Sequence, residues 1–360
     1  MQPNQPLERR PFARGDLVVV FVLGCLCFGF ATSAIGFARF NARARSCQDN
    51  LKNVVLASIM YDGRLGRFPG YSNALINVEG NLHVDPRTGK PAPVSWAVEL
   101  FSDLDRNALY EQWRQTPQTA ADADYLNTPV DIYICPDDAR EKAGAFLSYV
   151  ANSGRQDLPS AMPASANPTP SVGMPRDWQA NGVFFDLYSD DRRVKTQAST
   201  RGPTVVSRSG MIRDPKDKTI LFAENLDAGS YVFDAKTVPG GDPANAEIGW
   251  GCIWGAGNVD ATKMPPTMTP DAPASAINAH IDTPNRKPGY EYCRPSSSHA
   301  GGVNVAFAGR NVMFLKDKIN YFIFAKLMAS DDSGIKTPGT QTLADAALRL
   351  YQLSDNELKP

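Results

Sequence analysis

The pattern of apolar positions changes character near the start of the chain. From Leu17 to Ala38 no side chain carries a charge: LVVVFVLGCLCFGFATSAIGFA. At helical rise about 22 residues reach about 33 Å, the thickness of a hydrocarbon core. Backbone groups in lipid must be paired within their own segment, so the run is expected to be helical despite Gly24, Gly29 and Gly36. Further on the pattern becomes one-sided. Cys47, Leu51, Val54, Val55, Ser58 and Ile59 fall on one helical stripe, with Arg45, Asp49, Lys52 and Asn53 on the other side. The two stretches read as one helix from about Leu17 to Tyr61, roughly 65 Å long at helical rise. Asp62-Gly63 and Phe68-Pro69-Gly70 are expected to end it.

Beyond this helix, Ser95 to Trp113 has the spacing of one or two amphipathic helices. Ser95 is the N-cap, and Trp96, Leu100, Leu104, Leu109, Tyr110 and Trp113 form the buried side. Strands are expected at Val130–Ile134, Phe146–Val150, Gly182–Leu187 and Thr219–Ala223. Val303, Val305 and Phe307 alternate with smaller residues, and Gly309-Arg310 separates them from Asn311–Leu315. This predicts a hairpin with a two-residue type II′ turn, glycine supplying the positive φ. Arg155–Gln179 and Gly255–Gly289 read as long loops, and a short amphipathic helix is expected at Leu343–Leu353.

Composition adds limits rather than an activity. Of 360 residues, 42% are hydrophobic and 21% charged, enough to bury a substantial core. The formal net charge of −1 gives no reason to expect a nucleic-acid partner. Arg9, Arg10 and Arg14 precede the apolar run and Arg39, Arg43 and Arg45 follow it, so flanking charge sets no orientation. The short head is not expected to be exported ahead of the large domain that follows, which favours a cytoplasmic N-terminus. The expected layout is a cytoplasmic head (1–16), a single inner-membrane span (17–38), an extracytoplasmic α+β domain (39–330) and a polar tail (331–360). A cleaved secretory signal, with small residues at Thr32-Ser33-Ala34, is the rival reading.

Outside the apolar run stand Cys47, Cys135, Cys252 and Cys293, with no Cys-x-x-Cys spacing, so disulfides are expected ahead of a zinc site. Of the three pairings four cysteines allow, Cys47–Cys135 with Cys252–Cys293 is the working choice.

Several segments together resemble a family, the prepilin-like proteins of planctomycete-type bacteria that carry a domain of unknown function, DUF1559. The resemblance rests on Cys47–Asn53, Gly66–Gly70, Ser95-Trp96, Leu104–Tyr110, Ile134–Asp137, Ser148–Asn152, Asn181–Phe184, Thr219–Glu224 and Ser298–Asn304. It implies a type IV pilin-like α+β fold, in which a long N-terminal helix packs its outer half on an antiparallel sheet with long loop insertions. It also implies a pseudopilin-like structural or assembly role in the envelope or a secretion system, with related pilin-like subunits or secretion components as partners beside the lipid bilayer. Glu224, His299, Gly301, Gly302 and Asn304 stand at family-signature positions. Two features depart from the pattern. The prepilin junction of glycine, phenylalanine and a fifth-position glutamate is degenerate, with Gly15, Asp16 and Val20 in its place. The chain is therefore expected to stay uncleaved. The C-terminal signature of histidine, nine residues, then Asp-Gly ends here in Gly309-Arg310.

His299 lies beside Ser296, Ser297 and Ser298, but nothing fixes a base, an orienting carboxylate and an activated hydroxyl together. A structural histidine is the expectation, with no catalytic, cofactor or metal residues assigned. Asp137-Asp138 is expected to serve a turn rather than calcium, and Trp250, Trp254 and Tyr231 the core. His83 and His280 form no ligand spacing with each other. The alternative function is an anchored binding domain for a solute or glycan, built from the long loops.

Overall fold

In a computed structural model of the chain, residues 14–115, 120–138, 144–155, 178–194, 204–255, 277–278 and 289–335 are described. The chain divides into two units, Met1–Arg45 and Ser46–Pro360. Helix α1, Arg14–Leu65, runs through the division and exceeds the predicted helix at both ends. It stops where Gly66, at φ 70°, takes the left-handed conformation. The Gly66 N–H then reaches back 2.7 Å to the carbonyl of Asp62. A glycine ends helices well because it meets no Cβ penalty there.

In the first unit Val18, Val19, Phe21, Val22, Leu23, Leu26 and Phe28 are all exposed. Among the described residues no helix is long and apolar enough to cross a membrane. The uncharged run 17–38 continues through residues whose side chains lie outside the described set.

In the second unit α1 turns one stripe into the core. Cys47, Leu51, Val54, Val55, Ser58 and Tyr61 are at most 1% exposed, while Asp49, Lys52 and Asn53 face outward. Next come two short ribbons, β1 (Ser72–Asn73) with β4 (Val94–Ser95) and β2 (Val84–Asp85) with β3 (Lys90–Pro91). Helices α2 (Trp96–Glu99) and α3 (Asn107–Arg114) follow. Ser95 does occupy the N-cap position, but its hydroxyl donates to the Tyr231 carbonyl instead of accepting from the helix.

The core sheet has five strands: β5 (Tyr149–Arg155), β6 (Ile220–Glu224), β7 (Gly251–Gly255), β8 (Gly302–Phe307) and β9 (Val312–Lys316). Their order is β7-β5-β6-β8-β9. Helix α4 (Glu247–Trp250) leads into β7, and α5 (Tyr321–Met328) follows β9. α5 arises from the apolar run YFIFAKLM, begun by Asn320, whose side chain accepts from the Phe322 N–H. The architecture is α+β, with a helix at the N-terminus and small sheets.

Several expectations need correction. The sheet is mixed, since β5 and β7 run parallel. A parallel pair needs a long crossover, which the chain between Arg155 and Gly251 supplies. Val130–Ile134 forms a 3-10 turn at Asp131–Tyr133 instead of a strand. There the buried Tyr133 hydroxyl donates to the Ala97 carbonyl at 2.7 Å. Gly182–Leu187 also makes no strand. The N–H groups of Val183 and Phe184 both bond the Asn152 carbonyl, so the segment lies against β5, and further on Asp186 makes an isolated parallel bridge to Ser72 of β1. The segment begun at Phe146 becomes regular only at Tyr149. The helix predicted at Leu343–Leu353 lies outside the described residues, as do most of the two long loops and His280.

The hairpin β8–β9 forms in register from Gly302↔Lys316 to Ala306↔Val312. Its turn is not type II′, because the positive φ falls on Arg310, at 71°, and not on Gly309. Arg310 donates its N–H to Phe307 at 2.9 Å. Gly309 serves close approach: its N–H reaches Lys216, and a Cβ there would come within 3.0 Å of the Asp217 backbone. An Asp-Gly dipeptide in the same register would put its glycine at the left-handed position that arginine holds here. Arg310→Gly is expected to stabilise the chain by about 1 kcal/mol by removing the left-handed penalty. Gly309→Ala is expected to destabilise it. Denaturant midpoints read both, and a destabilised R310G would disprove this account of the turn.

Candidate functional site

The residues with most chemistry meet where α1 crosses the sheet. Cys47, on the buried stripe of α1, is disulfide-bonded to Cys135, which follows the 3-10 turn; their Cα atoms are 4.8 Å apart. Glu224 closes β6 with 2% exposure, and His299 lies in the loop before β8 with 7%. His299 Nε2 is 3.1 Å from Glu224 Oε1 and 3.6 Å from Cys135 Sγ. Its Nδ1 faces Asp137 Oδ2 at 3.5 Å. Asn304, on β8, holds the Glu224 carboxyl from the other side. Its backbone N–H donates to Oε2 at 2.8 Å and its side-chain amide to Oε1 at 3.0 Å. Gln48 of α1 in turn donates to Asn304 Oδ1 at 3.0 Å.

Neighbouring bonds fix the frame. Asn50 donates to the Ile134 carbonyl and the Tyr149 hydroxyl to the Cys47 carbonyl, so α1 is stitched to the Cys135 segment and to β5. Asp138 Oδ2 accepts from Ser148 at 2.9 Å. Gly301 sits at φ 82°. Gly302 leaves no room for a side chain, because a Cβ would collide with the Leu315 carbonyl.

The arrangement is not a nucleophilic triad. Ser297 Oγ donates to the Gly302 carbonyl and accepts from the His299 backbone N–H, so it serves the loop and not the imidazole. Ser296 Oγ donates to Asn225 Oδ1. With both carboxyl and imidazole almost wholly covered, the cluster acts as a polar tie between α1, the Cys135 turn, β6 and β8. Burial lowers the His299 pKa, but the hydrogen bond and charge of Glu224 and the charge of Asp137 outweigh it, leaving it raised from histidine's ordinary value.

The second expected disulfide is absent. Cys252 and Cys293 remain buried thiols. Ile253 bonds the Cys293 carbonyl at 2.8 Å, while Cys293 Sγ points to the Glu247 carbonyl at 3.6 Å. Gly15 and Asp16 lie within α1, their side chains outside the described residues. Trp250, Trp254 and Tyr231 are buried and give their polar hydrogens to the carbonyls of Ser230, Asn181 and Thr128. His83 is buried against Trp113, and burial pushes its pKa down to about 4.

Residues 37–321 match the family described as a protein of unknown function, DUF1559. The chain belongs to this family. No curated protein and no solved structure matches it. The match takes in every member of the cluster, from Cys47 to Asn304, so the tie is built wholly from the DUF1559 region. Gln48 and Asp137 join it as partners that sequence spacing did not link to His299. The nearest signal was their position beside Cys47 and Cys135.

A raised histidine pKa makes the pair's contribution depend on pH. His299 stabilises fully below its ordinary unfolded value of about 6.5, and the contribution fades as pH rises through the higher folded value. His299→Gln is expected to cost about 1.5–3 kcal/mol at pH 6, the range for a hydrogen bond to a charged group. It should cost less at pH 9. Thermal melts across this range read it, and an equal loss at both ends would sink the assignment.

Proposed function

We propose that this DUF1559 chain is a membrane-anchored, pilin-like structural or assembly protein of the cell envelope, without catalytic activity. The observation that carries the reading is the exposure of seven large apolar side chains between Val18 and Phe28 on a continuous helix. At about 100° per residue these positions spread over all but an arc of about 140°, and so broad an exposed apolar face calls for an apolar environment. The same helix supplies the core stripe of the second unit and its disulfide, which suits a pilin-like division of labour within one element. The layout is a cytoplasmic N-terminus, a single inner-membrane span and an extracytoplasmic domain. Lipid and related pilin-like subunits or secretion components are its partners. With Val20 where prepilins carry glutamate, the anchor is not processed.

Crosslinking of native membranes followed by mass spectrometry tests the reading. The expected result is a carbonate-resistant membrane protein that retains its N-terminal peptide and crosslinks to related subunits or envelope components. Recovery in the soluble fraction, or only as an isolated monomer, would overturn it.

A second reading, an anchored solute- or glycan-binding domain, is supported by one cavity of about 510 Å³ lined by Trp178, Gln179, Val205, Met211, Arg213 and Asp331. Its size is ordinary for a small-molecule site. On this reading a panel of glycans and small solutes contains one that raises the melting temperature of the chain. That rise should be lost in Trp178→Ala, and a flat panel counts against it.

A further inference from the structure

We propose that Cys47, Cys135, His299 and Glu224 form a tetrahedral site for a zinc-class divalent cation when the Cys47–Cys135 disulfide is opened. One donor atom from each of the four residues lies within 4.8 Å of every other, and all four residues are buried. Two thiolates, an imidazole and a carboxylate are an ordinary donor set for Zn²⁺.

The spacing fits as well as the chemistry. Bonds of about 2.0–2.1 Å to nitrogen and oxygen and about 2.3 Å to sulfur, at tetrahedral angles, set the donors apart by predictable distances. Nitrogen and oxygen stand about 3.3 Å apart, and nitrogen and sulfur about 3.6 Å. The observed separations are 3.1 Å for His299 Nε2 to Glu224 Oε1 and 3.6 Å for His299 Nε2 to Cys135 Sγ. The two sulfurs must part to about 3.8 Å, and the remaining donor separations lie within 4.8 Å, from which modest side-chain shifts close the site.

The outer shell is also in place. Metal-binding imidazoles commonly donate their second N–H to a carboxylate, which aims the other nitrogen at the ion. Asp137 Oδ2 faces His299 Nδ1 at 3.5 Å and is buried with no hydrogen-bond partner among the described residues. Asn304 grips both oxygens of Glu224 and would orient it in the same way.

The chemistry balances with a dithiol reductant. The dithiol gives up two electrons and two protons and becomes a disulfide, while the Cys47–Cys135 S–S bond breaks to two thiols. The cation then displaces both thiol protons to solvent and forms two metal–sulfur bonds. Disulfide and metal are thus mutually exclusive ties at one junction of α1 with the sheet.

The test uses the full chain in detergent, reduced with dithiothreitol, freed of reductant without air, and titrated with Zn²⁺ or Co²⁺. The reduced chain is expected to bind one equivalent and melt at higher temperature with zinc. Cobalt should show tetrahedral d–d bands with thiolate charge transfer. The oxidised chain should show none of these. His299→Gln and Glu224→Gln should weaken binding at least about 10-fold, and Asp137→Asn about 10–100-fold, the range for outer-shell partners. The Cys252→Ser/Cys293→Ser double variant should bind like the parent. Three results would overturn the proposal: no uptake by the reduced chain, uptake unchanged in both H299Q and E224Q, or uptake abolished in the Cys252/Cys293 double variant. Failure of zinc to restore structure to a chain unfolded by reduction counts equally against it.

Discussion

A buried carboxyl is the constraint on which much of the second unit depends. Glu224 ends a central strand with almost no access to water, where a carboxylate without partners would cost several kcal/mol. Its oxygens are met by both N–H donors of Asn304 and by the imidazole of His299. Each donor brings its own segment with it: Asn304 brings β8 and, through Gln48, α1, while His299 brings the loop before β8. Satisfying one carboxyl therefore fixes how the helix, two strands and a turn sit around one point. The Cys47–Cys135 disulfide closes a sequence separation of 88 residues at the same place. By loop entropy such a link contributes about 2–5 kcal/mol.

This helps to explain the distribution of hydrophobic and polar burial. The apolar stripe of α1 supplies area, but area is non-directional and would tolerate rotation or sliding of the helix. Hydrogen bonds with fixed partners select one rotation. Gln48 and Asn50 sit beside Cys47 on the margin of the stripe, half-buried, and reach the sheet and the Cys135 turn. Whether a buried polar group is retained for such specificity is an idea to be applied protein by protein. Here the geometry supports it, since such contacts hold α1 at the crossing and again near its end, where the Tyr61 hydroxyl donates to Glu99 and the Asp62 carboxylate accepts from the Ser209 N–H.

The helix and the hairpin were legible in the sequence because each is a local pattern. The stripe from Cys47 to Ile59 and the alternation from Val303 to Phe307 need no distant partner to be seen. The failures share the opposite property. Val130–Ile134 alternates like a strand, yet it curls into a 3-10 turn, and its Tyr133 is drawn into an aromatic group with Trp96, Phe101 and Tyr231. The parallel β5–β7 pairing joins residues about a hundred apart and leaves no trace in either strand alone. The site was half legible: Glu224, His299 and Asn304 were marked together by the resemblance, without any contact between them. Their convergence on the disulfide depends on tertiary structure. The Cys252–Cys293 expectation failed because an even cysteine count says nothing about where buried sulfurs point.

The turn between β8 and β9 gives the spacing from His299 to Gly309-Arg310 a second meaning. A motif of histidine, nine residues and Asp-Gly invites interpretation as one functional unit, but its two ends answer to different masters. The histidine belongs to the carboxyl tie and is judged by what Glu224 and Asp137 require. The dipeptide belongs to the hairpin and is judged by the backbone conformation at Arg310 and by the space beside Asp217 at Gly309. This chain separates them, keeping His299 in place while Gly309-Arg310 meets the turn's geometry at a small local strain. Drift at the turn end is then a matter of stability, and loss at the histidine end would be a matter of architecture.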